Sequence, residues 1–98
     1  VGGIYVSPTE VENCLIKHPA VFEAAIVGRK DDAELIKPEG FVVLNQGYQA
    51  DDTLMEQLQS YVKETLAPYK YPRWLHFVKD LPKTATGKIQ RFKLRSKQ

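Results

Sequence analysis

Two short apolar runs constrain the fold of this chain more than any other feature. VFEAAIVG (Val21 to Gly28) and GFVVLN (Gly40 to Asn45) are β-branched or aromatic segments bounded by glycine and polar residues, and both read as strands. The polar segment between them, RKDDAELIKPE, reads as a hairpin loop exposed at one edge. Helix signals flank the pair. SPTE (Ser7 to Glu10) offers an N-cap serine, a proline at the first helical position and a glutamate placed to close a capping box. The helix it starts carries Val11, Leu15 and Cys14 on its apolar stripe and ends before Pro19. A second helix is predicted from Thr53, with Thr53 and Glu56 as a capping box, Leu54, Leu58, Tyr61, Val62 and Leu66 on one face, and Pro68 as its stop. RWLHFV (Arg73 to Val78) reads as a third strand, and a short cationic helix over Ile89 to Lys97 rests on Ile89 and Phe92. The expected architecture is α+β, a small three-stranded sheet packed with helices.

The chain can bury one core of this kind. It has 98 residues, 43% of them hydrophobic and ten aromatic, which suits a single small domain over residues 1–98. The lone cysteine, Cys14, cannot form an internal disulfide and reads as a buried helix-face thiol. His18 and His76 belong to no ligand or catalytic motif and read as structural. No apolar run of membrane-spanning length and no leader pattern is present, so a soluble, cytoplasmic protein is expected. VGGIYV as an opening predicts a domain excised from a longer protein.

Charge is distributed unevenly. Residues 79–98 contain Lys79, Lys83, Lys88, Arg91, Lys93, Arg95 and Lys97 against Asp80 alone, a local charge of +6 in a chain whose net charge is +2. Such an end suits an anion: nucleic acid, an anionic membrane or a phosphate-bearing small molecule. Within it, LPKTATGKIQRFKLR places Lys88 behind Thr84, Ala85, Thr86 and Gly87, small residues with two hydroxyls and one glycine free to take positive φ. A phosphate loop is excluded, because Pro82 stands where GxxxxGK[ST] needs glycine and Ile89 where it needs serine or threonine. On local chemistry alone, a turn followed by a solvated lysine is the simpler reading.

Four motifs alter that balance. VGGIYVSPTEVE, KPEGFVVLN, YKYPRWLHFVKDLP and KTATGKIQRFKLR resemble, in order and spacing, the carboxy-terminal domain of the adenylate-forming enzymes: acyl-CoA synthetases, adenylation domains of peptide synthetases and luciferases. GGIYVSP and YKYPRWLHFV look most like the aryl-CoA ligase branch, those acting on benzoate in particular. The resemblance covers essentially the whole chain. It implies ATP, with Mg in the full enzyme, and CoA as co-substrates, neither bound tightly by this domain alone. It also implies a large amino-terminal domain as partner, which holds ATP and the acid, so the isolated domain is expected to be inactive. Lys88 would be the adenylation lysine, bridging the substrate carboxylate and the α-phosphate. After adenylation the domain would rotate about a hinge residue preceding Val1. Its other face would then meet the active site, with Gly2 and Gly3 lining the pantetheine tunnel. Gly87 would let the loop approach ligand closely. Tyr69, Lys70 and Arg73 would meet the nucleotide end of CoA. For these three a plain helix-to-strand connection is an equal reading; for Tyr71 and Trp74 a core role is preferred. A lysine acetyltransferase and deacetylase acting on Lys88 would be further partners. The acid itself is not legible here, since its pocket lies in the other domain. The rival readings are a small nucleic-acid-binding module, although no strand carries an RNP1 pattern, and an interaction domain without catalytic residues.

Overall fold

The computed structural model describes residues 7–67 and 70–95. Among these described residues six elements follow one another: helix α1 (Pro8–Ile16), strands β1 (Val21–Lys30) and β2 (Ile36–Leu44), helix α2 (Asp52–Thr65), strand β3 (Trp74–Phe77) and the short helix α3 (Arg91–Arg95). The three strands form one mixed sheet in the order β1-β2-β3. β1 and β2 are antiparallel, and β3 lies parallel to β2 after a crossover through α2.

Both faces of the sheet are covered, which explains why β1 and β2 read as nearly continuous apolar runs. On one face Ala24, Ile26, Val42 and Leu75 pack against Val11, Cys14 and Leu15 of α1 and Leu54, Leu58 and Val62 of α2. On the other, Ala25, Val27 and Phe41 pack against Leu81 and Leu94, with Val43, Val78 and Ile89 alongside. The second cluster fastens the carboxy-terminal segment to the sheet.

α1 begins as its sequence dictates, with Pro8 in the first turn and Ser7 Oγ accepting from Glu10 N–H at 3.4 Å. Only half of the capping box forms, because the Glu10 carboxylate is drawn to Lys70 Nζ at 2.7 Å. Burial pushes the Cys14 thiol up from its ordinary value, in keeping with a core role. α2 starts one residue before the expected Thr53. Three consecutive residues, Asp51, Asp52 and Thr53, can each cap, and it is Asp51 Oδ1 that accepts from Leu54 N–H at 2.8 Å. The expected stop at Pro68 lies outside the described residues.

The strands are longer than their apolar runs. Gly28 and Gly40 do not bound them but sit inside the ladder, opposite Pro38 and Ile26 respectively. The pairing continues through Arg29↔Lys37 and Lys30↔Ile36, leaving a five-residue loop, Asp31 to Leu35, where an eleven-residue connection was expected. Asp31 makes the tight turn possible: its Oδ1 accepts from Ala33 N–H at 2.9 Å and Leu35 N–H at 3.0 Å. α3 also departs from expectation. Phe92 is 62% exposed, and Leu94 is the residue that faces the sheet, at 4%. Two positions apart on a helix, the two side chains point to nearly opposite sides.

Candidate functional site

Lys88 stands at the exposed end of a small hairpin. Lys83 and Ile89 form an antiparallel bridge, and Gln90 N–H donates to Pro82 O at 2.8 Å, closing its neck. Inside it, Thr84 N–H donates to Lys88 O at 2.8 Å and Gly87 N–H to Thr84 O at 2.9 Å. Thr84 Oγ1 accepts from Lys88 N–H at 3.1 Å and lies 3.0 Å from Thr86 Oγ1. The small residues form a turn, with the Thr84 and Thr86 hydroxyls engaged inside it, and Gly87 takes the left-handed conformation at φ +89° that its sequence allowed. A Cβ on Gly87 would meet nothing within 4 Å, so glycine is needed there for its backbone and not for space. The Lys88 side chain is exposed and forms no ion pair among the described residues.

Other cations of the basic end are neutralised internally. Lys83 Nζ meets Glu23 Oε2 of β1 at 2.5 Å, a contact that raises the pKa of the lysine. Arg91 binds Glu12 of α1 through two of its three guanidinium nitrogens: Nε donates to Oε2 at 2.7 Å and Nη2 to Oε1. Glu12, only 5% exposed, also accepts from Ile26 N–H at 2.7 Å. β1 is an edge strand, so this carboxylate satisfies a backbone donor at the sheet edge while holding the helix on the opposite face. The charge of +6 thus overstates the field available to an anion. Neither Glu12 nor Arg91 stood out in the sequence, where one reads as a polar helix residue and the other as part of a cationic run.

The remaining candidates are dispersed. Gly2, Gly3 and Tyr69 lie outside the described residues. Lys70 and Arg73 turn to different partners: Lys70 is 19% exposed and held by Glu10, whereas Arg73 is 48% exposed with a loose 3.7 Å contact to Asp31 Oδ2. Arg73 borders a cleft of about 370 Å³ shared with Arg29, Lys30, Asp31, Asp32 and Trp74. The Arg29 guanidinium covers the Trp74 ring at 4.5 Å and reaches Glu39 at 3.1 Å. Tyr71 packs against the first core cluster, as expected. His18 Nδ1 accepts from Ala20 N–H at 3.1 Å and His76 Nε2 lies 2.8 Å from Glu39 Oε2; both are satisfied by neighbours. Among the described residues no group of three or more His, Cys, Asp or Glu is arranged to hold a metal ion, and no helix is long and apolar enough to cross a membrane.

Comparison with known proteins places this geometry. Residues 10–88 match the family described as AMP-binding enzyme C-terminal domain. The chain is 66% identical over 96 residues to a benzoate–CoA ligase of Thauera aromatica, covering 98% of the chain and 18% of that relative. Among solved structures, it superposes on the anthranilate CoA ligase AuaEII in complex with anthranoyl-AMP with a TM-score of 0.93 and 55% identity, over 99% of the chain and 19% of that protein. A benzoate CoA ligase from Burkholderia xenovorans LB400 matches with a TM-score of 0.86 and 58% identity, over 93% of the chain and 18% of that protein. The chain thus spans less than a fifth of the length of the relatives it matches.

Proposed function

The chain belongs to the family of AMP-binding enzyme C-terminal domains, and from that premise we propose that it is the mobile domain of an AMP-forming acid–thiol ligase acting on benzoate or a related aryl acid. In the first half-reaction a carboxylate oxygen attacks the α-phosphorus of ATP. An acyl C–O–P linkage forms and the bond to pyrophosphate breaks. In the second, the CoA sulfur attacks the acyl carbonyl, a thioester forms, AMP leaves and the thiol proton passes to the medium. ATP, its Mg and the acid belong to the larger domain. The present chain contributes Lys88 to the first step and Gly2 and Gly3 to the pantetheine passage of the second.

The observation that carries this reading is the presentation of Lys88 on a tight hairpin, exposed and without an ion pair among the described residues, while Lys83 and Arg91 on either side are bound to carboxylates. Adenylation brings two anions together, and a positioned ammonium lowers their repulsion as charge redistributes in the transition state. Arg73 is better suited than Lys70 to meet a CoA phosphate, because it is half exposed and its carboxylate contact is longer. Acetylation of Lys88 would remove the same charge and silence the first step.

The test is Lys88→Ala in the full-length ligase. Adenylation, followed as pyrophosphate exchange, is expected to fall about 10²–10³-fold, roughly 3–4 kcal/mol. Conversion of supplied acyl-AMP to acyl-CoA should change little. Lys79→Ala, an exposed cation of the same basic end, is the control and should be nearly silent. Equal losses in both variants would mean a diffuse basic patch and would end this assignment.

A further inference from the structure

The geometry points to Glu12 and Arg91 as the positioning residues for Lys88, a role that rests on the reading of Lys88 given above. A hairpin of seven residues, Lys83 to Ile89, has no stability of its own and takes its orientation from what holds its base. Apolar contacts supply part of the grip, through Leu81 before the hairpin and Ile89 and Leu94 after it. Such contacts are non-directional and leave the hairpin free to rock. Direction comes from the ion pairs. Lys83–Glu23 tethers one limb by a single point charge, which holds a distance but not an orientation.

Arg91 is different in kind. It follows the neck residue Gln90 directly and stands three residues after Lys88. Its planar guanidinium meets both oxygens of one carboxylate, which fixes distance and plane together. The carboxylate is in turn held by the Ile26 N–H at 2.7 Å and is buried, so it has little freedom to follow a moving partner. A continuous path therefore leads from the backbone of β1 through Glu12 and Arg91 to the neck of the hairpin and Lys88. It passes around the free edge of the sheet and links α1, on one face, with α3, on the other. An electrostatic contact at a reacting centre is sensitive to placement, and an error of about 1 Å can cost about 10²-fold in rate. The Glu12–Arg91 fork supplies the rigidity that this sensitivity demands.

The experiment uses Arg91→Lys in the full-length ligase, which keeps the charge and removes the fork. Glu12→Asp, which keeps the charge and shortens the arm, serves as an independent variant should the first fail to fold, and thermal melting reports the folded fraction of each. Pyrophosphate exchange is expected to fall about 10–10²-fold through kcat, with KM for ATP and acid unchanged, while thioester formation from supplied acyl-AMP is retained. Combined with Lys88→Ala, Arg91→Lys should add no further loss of adenylation, because the residue it positions is gone. Equal reduction of both half-reactions would show a general structural role and overturn the inference. So would a full additional loss in the Lys88→Ala background. If Lys88→Ala itself left adenylation intact, the reading of Lys88 would fall first and the inference with it.

Discussion

Asp31 shows how much one side chain can settle. Its carboxylate accepts two backbone N–H groups of the β1–β2 loop and faces Arg73, and the bond from Leu35 N–H is the first cause of a pKa held below the ordinary carboxylate value. A folded-state pKa below the unfolded value of about 3.9 gives stability that is present above the unfolded value and lost as pH falls through the folded one. Asp31→Asn keeps an acceptor in the turn but cannot titrate. Its acid limb, measured as the drop in Tm between pH 7 and pH 3, should therefore be shallower than that of the parent; identical limbs would mean that Asp31 is not a stabilising titrating group. This role was hidden in the sequence, where DD in a polar run says only that the chain turns. The turn before Lys88 was legible for the opposite reason, although the role of the lysine came only with the family resemblance. This turn is built from neighbours within four residues, so composition and spacing carried its chemistry, down to the left-handed conformation of Gly87.

At the level of elements, legibility followed distance along the chain. The α1 cap at Ser7 and the stripe of α2 depend on residues three or four apart, and both stand where periodicity put them. Strand ends were misjudged because Gly28 and Gly40 look like boundaries, whereas each answers to a neighbouring strand. Gly40 is the more constrained. A Cβ there would lie 2.7 Å from Leu75 Cδ1, 3.2 Å from Ile26 Cδ1 and 3.4 Å from Pro72 Cβ, all on buried residues. At Gly28 the added carbon would meet only Ile36 Cγ2, at 2.8 Å, on a side chain that is 47% exposed. Gly40→Ala should cost about 1–3 kcal/mol by overpacking, and Gly28→Ala less than about 1 kcal/mol. Urea midpoints of the two variants decide the matter; comparable losses would mean that the close approach of β2 to β3 is not what demands glycine.

Across the whole molecule, a sheet covered on both faces lets a chain of this size hold its carboxy-terminal segment in place, with α1 and α2 on one side and the Lys88 hairpin and α3 on the other. Sequence reading anticipated the sheet and its helices but not this division, because it rests on contacts between residues far apart in the chain, such as the packing of Leu81 and Leu94 on Ala25 and Phe41 and the pair Glu12–Arg91, 79 residues apart. That last separation governs when the molecule becomes complete. β1 and β2 meet across a five-residue loop, while the Glu12–Arg91 contact closes a loop of 79 residues, which by chain entropy alone costs roughly 2 kcal/mol more. β1 and β2 are then expected to pair within the folding nucleus and the fork to form after the rate-limiting barrier. Arg91→Lys should accordingly leave the refolding arm of a chevron unchanged and steepen only the loss of the native state, raising the unfolding rate constant. A slower refolding arm would place the fork in the nucleus. With the fork closing last, the same residues are the first to release on the way out, so the Lys88 segment is the part expected to open first when the fold loosens, and its amides should exchange with solvent before that of Val42 in the central strand.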